Sequence, residues 1–390
     1  VDNALLDTRA RPAHQQPVWG DEAQVRRVRR ELAAQPALVR AEDVQTLRAV
    51  LTRVAVGEAH VVQAGDCAED PAESDADYVA RKVGLLDVLA GTLKMNARKP
   101  VVRVGRIAGQ LAKPRSRPTE VVGGVELPVY RGHMVNSPEP DPEGRRPDPL
   151  RLLSCYQAAS TVMDHLGWRG PARRAGIDPP VWTSHEALLL DYEVPMLRRD
   201  SAGRLVLTST HWPWVGERTR QVEGAHVALL AEVVNPVACK VGPSITVDEL
   251  LALCERLDPR RETGRLSLIA RMGADLVADK LPPLVSAART AGHPVIWLCD
   301  PMHGNTVVTS DGLKTRYLEA ILREVRDFQD AVRAAGGVCG GLHLETTPDD
   351  VTECVVGASR VDQVGDKYTS FCDPRLNPEQ AVAVASAWSG

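Results

Sequence analysis

The sequence predicts an α/β chain folded as a (β/α)₈ TIM barrel, on three observations. Eight short apolar runs recur from His60 onward. Each ends in a charged or metal-binding residue, always at the same end. The stretches between them have helical spacing, and no linker rich in Pro, Gly or Ser interrupts the alternation. Strand–helix alternation favours a parallel sheet, and a barrel builds its site from the C-terminal ends of all its strands.

In chain order the runs are HVVQAGDCAE, ending in Asp66 and Cys67; PVVRVGRIAG, with Arg106; PVWTSHEA, with His185 and Glu186; and HWPWVGERT, with Glu217 and Arg218. NPVACKVGP follows with Lys240, RLSLIARMG with Arg271, PVIWLCDPMHG with Asp300 and His303, and GGVCGGLHLETT with His343 and Glu345. Residues 1–58 read as a short N-terminal helical extension, because Asp21 to Gln35 and Ala41 to Val56 have helical spacing and Pro36 breaks between them. Residues 59–390 read as the barrel. Thr246-Val-Asp-Glu249 is a capping box ahead of an apolar stripe of Leu250, Leu251, Leu253 and Leu257. Pro348 and Pro378 each stand where a helix would begin, after Thr347 and Asn377. Leu313 to Ala335 reads as one long amphipathic helix stopped by Gly336-Gly337. Two segments leave the alternation. Pro118 to Asn136 reads as a hairpin or loop excursion, and Val194 to Thr210 as a hairpin around Asp200 to Gly203. Both are expected at the barrel mouth, where insertions shape a site.

Composition bounds the function. The chain has 390 residues, 44% hydrophobic and 25% charged, which suits one soluble barrel with insertions. A net charge of -4 argues against nucleic acid or an anionic membrane as the main partner. No apolar run reaches the ~18 residues of a membrane span. The opening VDNALLDTRARP lacks the apolar segment of a secretory leader. The eight cysteines are scattered without a CxxC pair, so they read as buried thiols in a reducing cytoplasm.

Arg106, Arg218, Lys240 and Arg271 each sit at the end of a different predicted strand. In a barrel they converge, and converging cations call for a small, highly anionic substrate, since Arg forks suit phosphate and carboxylate. Local ion pairing is the alternative for each one taken singly. Lys113-Pro-Arg115-Ser116 offers two more charges and a hydroxyl, enough for a second phosphate, and Lys314 and Arg316 open the helix after the His303 run. Cys67, His303, Glu345 and Asp373 would give a mixed thiolate, imidazole and carboxylate set suited to Mn²⁺, Co²⁺, Fe²⁺ or Zn²⁺. His185, His343, Asp66, Asp300 and Glu217 compete for that role. On a strand, His343 and Glu345 point to the same side.

The blocks QAGDCAE, RVGRIAGQLAKPRS, SHEALLLDYE, WVGERTRQ, GAHVALLAEVVNPVACKVGP, LIARMGAD, CDPMHGNT, LKTRYL, GGLHLETTPDDVTEC and SFCDPRLNPEQA, in this order, resemble class II 3-deoxy-D-arabino-heptulosonate 7-phosphate (DAHP) synthases. The resemblance implies a metal-dependent, aldol-type transferase. It would condense phosphoenolpyruvate with erythrose 4-phosphate and release phosphate, at the first step of the shikimate pathway. It implies a divalent ion, Mn²⁺ or Co²⁺, on Cys67, His303, Glu345 and Asp373. It implies phosphoenolpyruvate on Arg106, Glu217, Arg218, Lys240 and Arg271, with Arg106, Glu217 and Lys240 as the catalytic groups. Lys113, Arg115, Ser116 and Lys314 would hold erythrose 4-phosphate. It implies a homo-oligomer, at least a dimer. Cys372 precedes the ligand Asp373, so its thiol is expected beside Cys67.

The chain departs from the family in two ways. Arg131-Gly132-His133 stands where Arg-Gly-Asp is common. The N-terminal extension is short, and the stretch between Pro149 and His211 lacks helices that longer members carry. Those helices are associated with inhibition by aromatic amino acids and with docking of chorismate mutase. The compact form resembles versions found in secondary-metabolite pathways. Two alternatives follow: an aminoDAHP synthase using an amino or imino sugar phosphate, and a catalytically inactive regulatory relative, against which the full set of metal and phosphoenolpyruvate residues counts.

Overall fold

The computed structural model describes residues 10–169 and 180–389. The leader-free reading of the first nine residues, and part of the reading of 149–211, lie outside the described residues. Eight strands close a parallel barrel: β1 (His60–Gly65), β2 (Val101–Arg106), β3 (Trp182–Glu186), β4 (Trp212–Val215), β5 (Val237–Val241), β6 (Leu266–Ala270), β7 (Ile296–Cys299) and β8 (Cys339–Glu345). Each strand pairs with its neighbours in the chain, and β8 closes on β1. The eight strands are the eight apolar runs. The register sets Gly65 opposite both Arg106 and Glu345, so the polar strand ends share one rim.

Among the described residues, two full helices precede the barrel, α1 (Glu22–Ala34) and α2 (Ala41–Ala55). Helix α2 plugs the N-terminal end. Its Leu47, Leu51 and Val54 are fully buried in one cluster with interior residues Val61, Val104, Trp212, Trp214, Ile269 and Leu298. Burial of that kind stabilises by roughly 1.5–3 kcal/mol per side chain. The ring outside contains α3 (Ala76–Ala97), α4 (Leu150–His165), α5 (Ala225–Glu232), α6 (Val247–Leu257), α7 (Val277–Thr290), α8 (Leu318–Ala334) and α9 (Pro378–Ser386). The capping box at Thr246 and Glu249 starts α6 as expected. Asn377 caps α9 with Pro378 in its first turn.

The crossover from β3 to β4 has no long helix of its own. It runs through one turn at Leu190–Glu193 and a hairpin of Leu197–Arg199 with Leu205–Leu207. Helix α1 packs there instead, burying Val25, Val28 and Leu32 with Leu152, Tyr156, Tyr192 and Met196.

Three expectations are corrected. The 197–207 hairpin is at the N-terminal end of the strands, not the mouth: Leu207 N donates to Asn235 Oδ1 at 2.9 Å, just before β5 begins. It is held there because it replaces a returning helix. The other hairpin, Thr119–Val122 with Val125–Pro128, does follow β2 at the mouth. Pro348 starts no helix. Thr347 Oγ1 accepts from Asp349 N at 3.2 Å, a local turn that this sequence signal also fits, and the Asp349 carboxylate is taken by the Tyr78 hydroxyl at 2.6 Å and Arg81 at 2.8 Å. Finally, α8 begins at Leu318 rather than Leu313. Lys314–Arg316 instead pairs antiparallel with Thr306–Val308, and this strand carries Lys314 and Arg316 back to the mouth. No described helix is long and apolar enough to cross a membrane.

Candidate active site

The polar strand ends converge as predicted. A pocket at the mouth is lined by seven cations, Arg106, Lys113, Arg115, Arg218, Lys240, Arg271 and Lys314, against three carboxylates, Glu186, Glu217 and Asp373. Ser116, His303 and Trp214 complete much of the wall. Cys67 and Glu345 lie just behind it, buried.

Glu345 is the electrostatic centre. Its Oε1 meets Arg106 at 2.9 Å, Lys113 at 3.1 Å and His303 Nε2 at 3.1 Å, and its Oε2 meets Arg316 at 2.8 Å. Burial would push this carboxyl up, but His303, Lys113, Arg316 and Arg106 outweigh it and hold it well below the usual carboxylate range. His343, two residues back, faces the same way. It accepts from Arg106 Nη1 at 2.6 Å and shares 2.7 Å with Gln63 Oε1, so it holds the guanidinium.

The four expected metal ligands are adjacent. Donor atoms of Cys67, Glu345 and Asp373 all lie within 4.8 Å of one another. His303 is outside that compact group but touches Glu345, with its other nitrogen 2.7 Å from Asp300. The site is already built around a positive charge: the Lys113 ammonium bridges Glu345 at 3.1 Å and Asp373 at 2.9 Å. Asp373 N donates to Cys67 Sγ at 3.1 Å. Burial pushes the Cys67 thiol up, yet the hydrogen bond from Cys372 and the Lys113 charge draw it down to about 7. A cluster of thiolate, imidazole and two carboxylates around a cation's place fits a divalent ion. The competing candidates are otherwise engaged. His185 pairs with Glu193 at 2.8 Å, Asp300 with Lys240 at 2.9 Å, Glu217 with Arg220 at 2.9 Å, and Asp66 with Arg375 at 2.9 Å.

The cations divide into two kinds. Arg106 and Lys240 are buried and bolted to Glu345 and Asp300. Burial draws Lys240 down to about 8 against the pull of Asp300. Arg218 and Arg271 have no carboxylate partner among the described residues: Arg218 reaches Ser116 Oγ at 2.5 Å and Arg271 reaches the His303 carbonyl at 3.4 Å. Arg115 pairs with Glu120 at 3.5 Å, and Lys314 with Asp373 at 2.8 Å. Arg106 and Lys240 also stand 5.3 and 5.9 Å from the Trp214 ring.

Three wall residues carry no sign of their role in the sequence. Gln110 accepts from Glu186 N at 3.0 Å, and an uncharged amide gives no signal. Trp214 points inward from β4. Glu186 ends β3, and its residue type alone assigns it no role. Burial pushes its carboxyl up despite Lys240 and Lys113, one oxygen has no partner, and Gly216 leaves it room, since a Cβ there would sit 2.0 Å from Oε1. His133, the departure from Arg-Gly-Asp, does not line the pocket. Its ring bonds the Tyr130 hydroxyl at 2.7 Å and packs edge-on against Phe371.

Comparison with known proteins gives the family. The model of the Class-II DAHP synthetase family matches residues 4–173 and 163–389. A probable phospho-2-dehydro-3-deoxyheptonate aldolase of Pseudomonas fluorescens is 60% identical over 377 residues, covering 96% of this chain and 94% of that protein. The phospho-2-dehydro-3-deoxyheptonate aldolase of Streptomyces coelicolor is 41% identical over 422 aligned residues, with the same coverage of both chains. That alignment is longer than the 390 residues here, so the Streptomyces relative carries stretches this chain lacks. A solved phospho-2-dehydro-3-deoxyheptonate aldolase from Francisella tularensis superposes with a TM-score of 0.54 at 12% identity, over 94% of this chain and 97% of that one, a likeness of fold. The chain belongs to the class-II DAHP synthetase family, whose reaction joins phosphoenolpyruvate to erythrose 4-phosphate at the head of the shikimate pathway.

Proposed function

We propose that the two substrates meet in the mouth pocket and that phosphoenolpyruvate lies against Arg106, Glu217, Arg218, Lys240 and Arg271. The observation that carries this reading is the surplus of seven cations over three carboxylates in one wall. Two anions repel, and a preorganised cation cluster both offsets that repulsion and fixes their approach. Arg218 and Arg271 are free to take phosphate or carboxylate oxygens. Lys240, at about 8, keeps its charge near neutral pH. Lys113, Arg115, Ser116 and Lys314 hold the aldose phosphate.

Carbon 3 of the enol phosphate attacks the aldehyde carbon, and the aldehyde oxygen takes the electron pair and then a proton. Water adds at carbon 2, and phosphate leaves. Glu186 and Glu217 each keep one buried oxygen without a partner, which suits them to hold that water and move its proton. Cys67, His303, Glu345 and Asp373 would hold a divalent ion, Mn²⁺ or Co²⁺. When bound, such an ion polarises the aldehyde oxygen as a Lewis acid.

The compact chain fits a supply role for secondary metabolism, because it lacks stretches present in the 41% identical relative. A homo-oligomer, at least a dimer, and a cytoplasmic setting belong to the same proposal. So does the functional division at residue 58, with the extension as support and the barrel as catalyst. The test is loss of enol absorbance with release of phosphate when purified protein meets phosphoenolpyruvate, Mn²⁺ and erythrose 4-phosphate. An amino analogue should react far more slowly, since His133 does not line the pocket. No turnover of erythrose 4-phosphate would overturn the reading.

A further inference from the structure

We propose that residues 11–19 are a strap across the barrel mouth and that Gln15 is a positioning residue for the aldose phosphate. The strap precedes the barrel by some forty residues of chain, yet it is tied to the loops after three adjacent strands, β2, β3 and β4. After β4, Ala225 N donates to the Pro12 carbonyl at 3.0 Å and Arg11 pairs with Glu223 at 2.6 Å. After β3, the Gln16 amide accepts from Leu190 N at 3.0 Å and donates to the Leu188 carbonyl at 2.8 Å, and Trp19 Nε1 donates to Asp191 at 2.8 Å.

The contacts after β2 reach the Lys113–Ser116 loop itself. Arg115 N donates to Gln15 Oε1 at 2.9 Å. Lys113 N donates to the Arg131 carbonyl at 2.9 Å, and the Arg131 guanidinium donates in turn to the Gln15 carbonyl. Alternate residues of the loop are therefore held from the strap, one directly and one through Arg131. The Arg131 side chain is given over to this tie, with backbone carbonyls of Gln15 and Gln16 as its partners. Gly132 makes the approach possible: its φ is +96°, and a Cβ there would lie 2.3 Å from the Leu111 carbonyl oxygen. Gln15 takes a left-handed conformation at φ 60°, uncommon for a residue other than glycine, and so presents its side chain and its carbonyl to the loop together.

The loop from Lys113 to Ser116 lies in no strand or helix. Its two charges are useful only if they stay where a phosphate needs them, and Gln15 supplies that restraint. The inference rests on the reading that this loop holds the aldose phosphate. Gln15→Gly removes the acceptor while suiting the left-handed backbone, so it isolates the hydrogen bond from strain. In the full-length protein it should raise KM for erythrose 4-phosphate by roughly fivefold or more, the worth of one lost hydrogen bond, and leave KM for phosphoenolpyruvate within about twofold. Amide hydrogen exchange across residues 111–118 should speed up in the same variant. Arg115→Ala is run beside it. An unchanged aldose KM in Arg115→Ala would overturn the loop reading, and this inference with it. A raised aldose KM in Arg115→Ala but not in Gln15→Gly would overturn the strap alone. So would an equal rise in both KM values, or unchanged exchange in the loop.

Discussion

At the N-terminal end of the strands, α2 closes the barrel with Leu47, Leu51 and Val54, and the neighbours are Trp182, Trp212 and aliphatic side chains. At the C-terminal end of the same strands, Glu345 is wedged among Arg106, Lys113 and Arg316. One end closes on apolar side chains, its charges kept to the rim in pairs such as Arg48 with Glu262. The other concentrates charge that only a further charged species completes. The difference teaches that this barrel separates stability from chemistry along its axis, so substitutions at the two ends should fail in different assays.

The largest effect expected is at the mouth. Chelation should abolish turnover, and Mn²⁺ or Co²⁺ should restore it. Left in air without metal, the protein should form a Cys67–Cys372 disulfide, because the two thiols are hydrogen-bonded neighbours in one buried cluster. Peptide mapping that finds both thiols free, or full activity after chelation, would break the comparison at its charged end. Next, Arg271→Ala should raise KM for phosphoenolpyruvate roughly 10- to 100-fold, the value of a charge-assisted contact, with the melting temperature nearly unmoved. An unchanged KM would assign Arg271 to structure. At the other end, Leu51→Ala should cost about 2–5 kcal/mol of stability and leave both KM values within about twofold. Denaturant unfolding and steady-state kinetics together read this.

A smaller effect is pH-dependent. His211, at the start of β4, is buried between Trp168 and Trp182, and burial lowers its pKa from 6.5 to about 3. The unfolded chain therefore takes the proton first. The contribution is complete well above 6.5 and falls by about 1.4 kcal/mol per pH unit below it, toward 3. His211→Asn keeps an acceptor for Thr183 N and should flatten the acid limb of a stability–pH curve. The smallest effect expected is none: Phe, Tyr and Trp should not inhibit below millimolar concentration, because coupling needs a second site and the stretches present in the longer relative are missing here. Inhibition by any of them would show that the apolar end or the ring around it carries regulation as well as stability.

The charged end was the more legible of the two in the sequence. A strand that ends in Arg106 or Lys240 announces itself, because a buried cation is costly unless a site needs it. The eight strands were legible for the same reason, each being a short apolar run stopped by a charge. Neutral contributors were not. Gln110 and Gln15 act as neutral hydrogen-bond acceptors, and nothing in local spacing marks them. Long-range partners were also hidden. The stripe on α1 could be read, but not that it covers the β3–β4 crossover. Thr347-Pro348 carried a helix signal that a side-chain turn satisfies equally well, and only the pull of Tyr78 and Arg81 on Asp349 decides between them.

The placement of α1 in the outer ring has a consequence in time. Its partners Tyr156, Tyr192 and Met196 leave the ribosome more than a hundred residues after it does. At about 5–20 residues per second, the helix waits on the order of ten seconds with Val25, Val28 and Leu32 uncovered. A helix made early is thus covered late, and a nascent chain of this protein exposes a sticky apolar stripe until the third strand and its crossover have been translated.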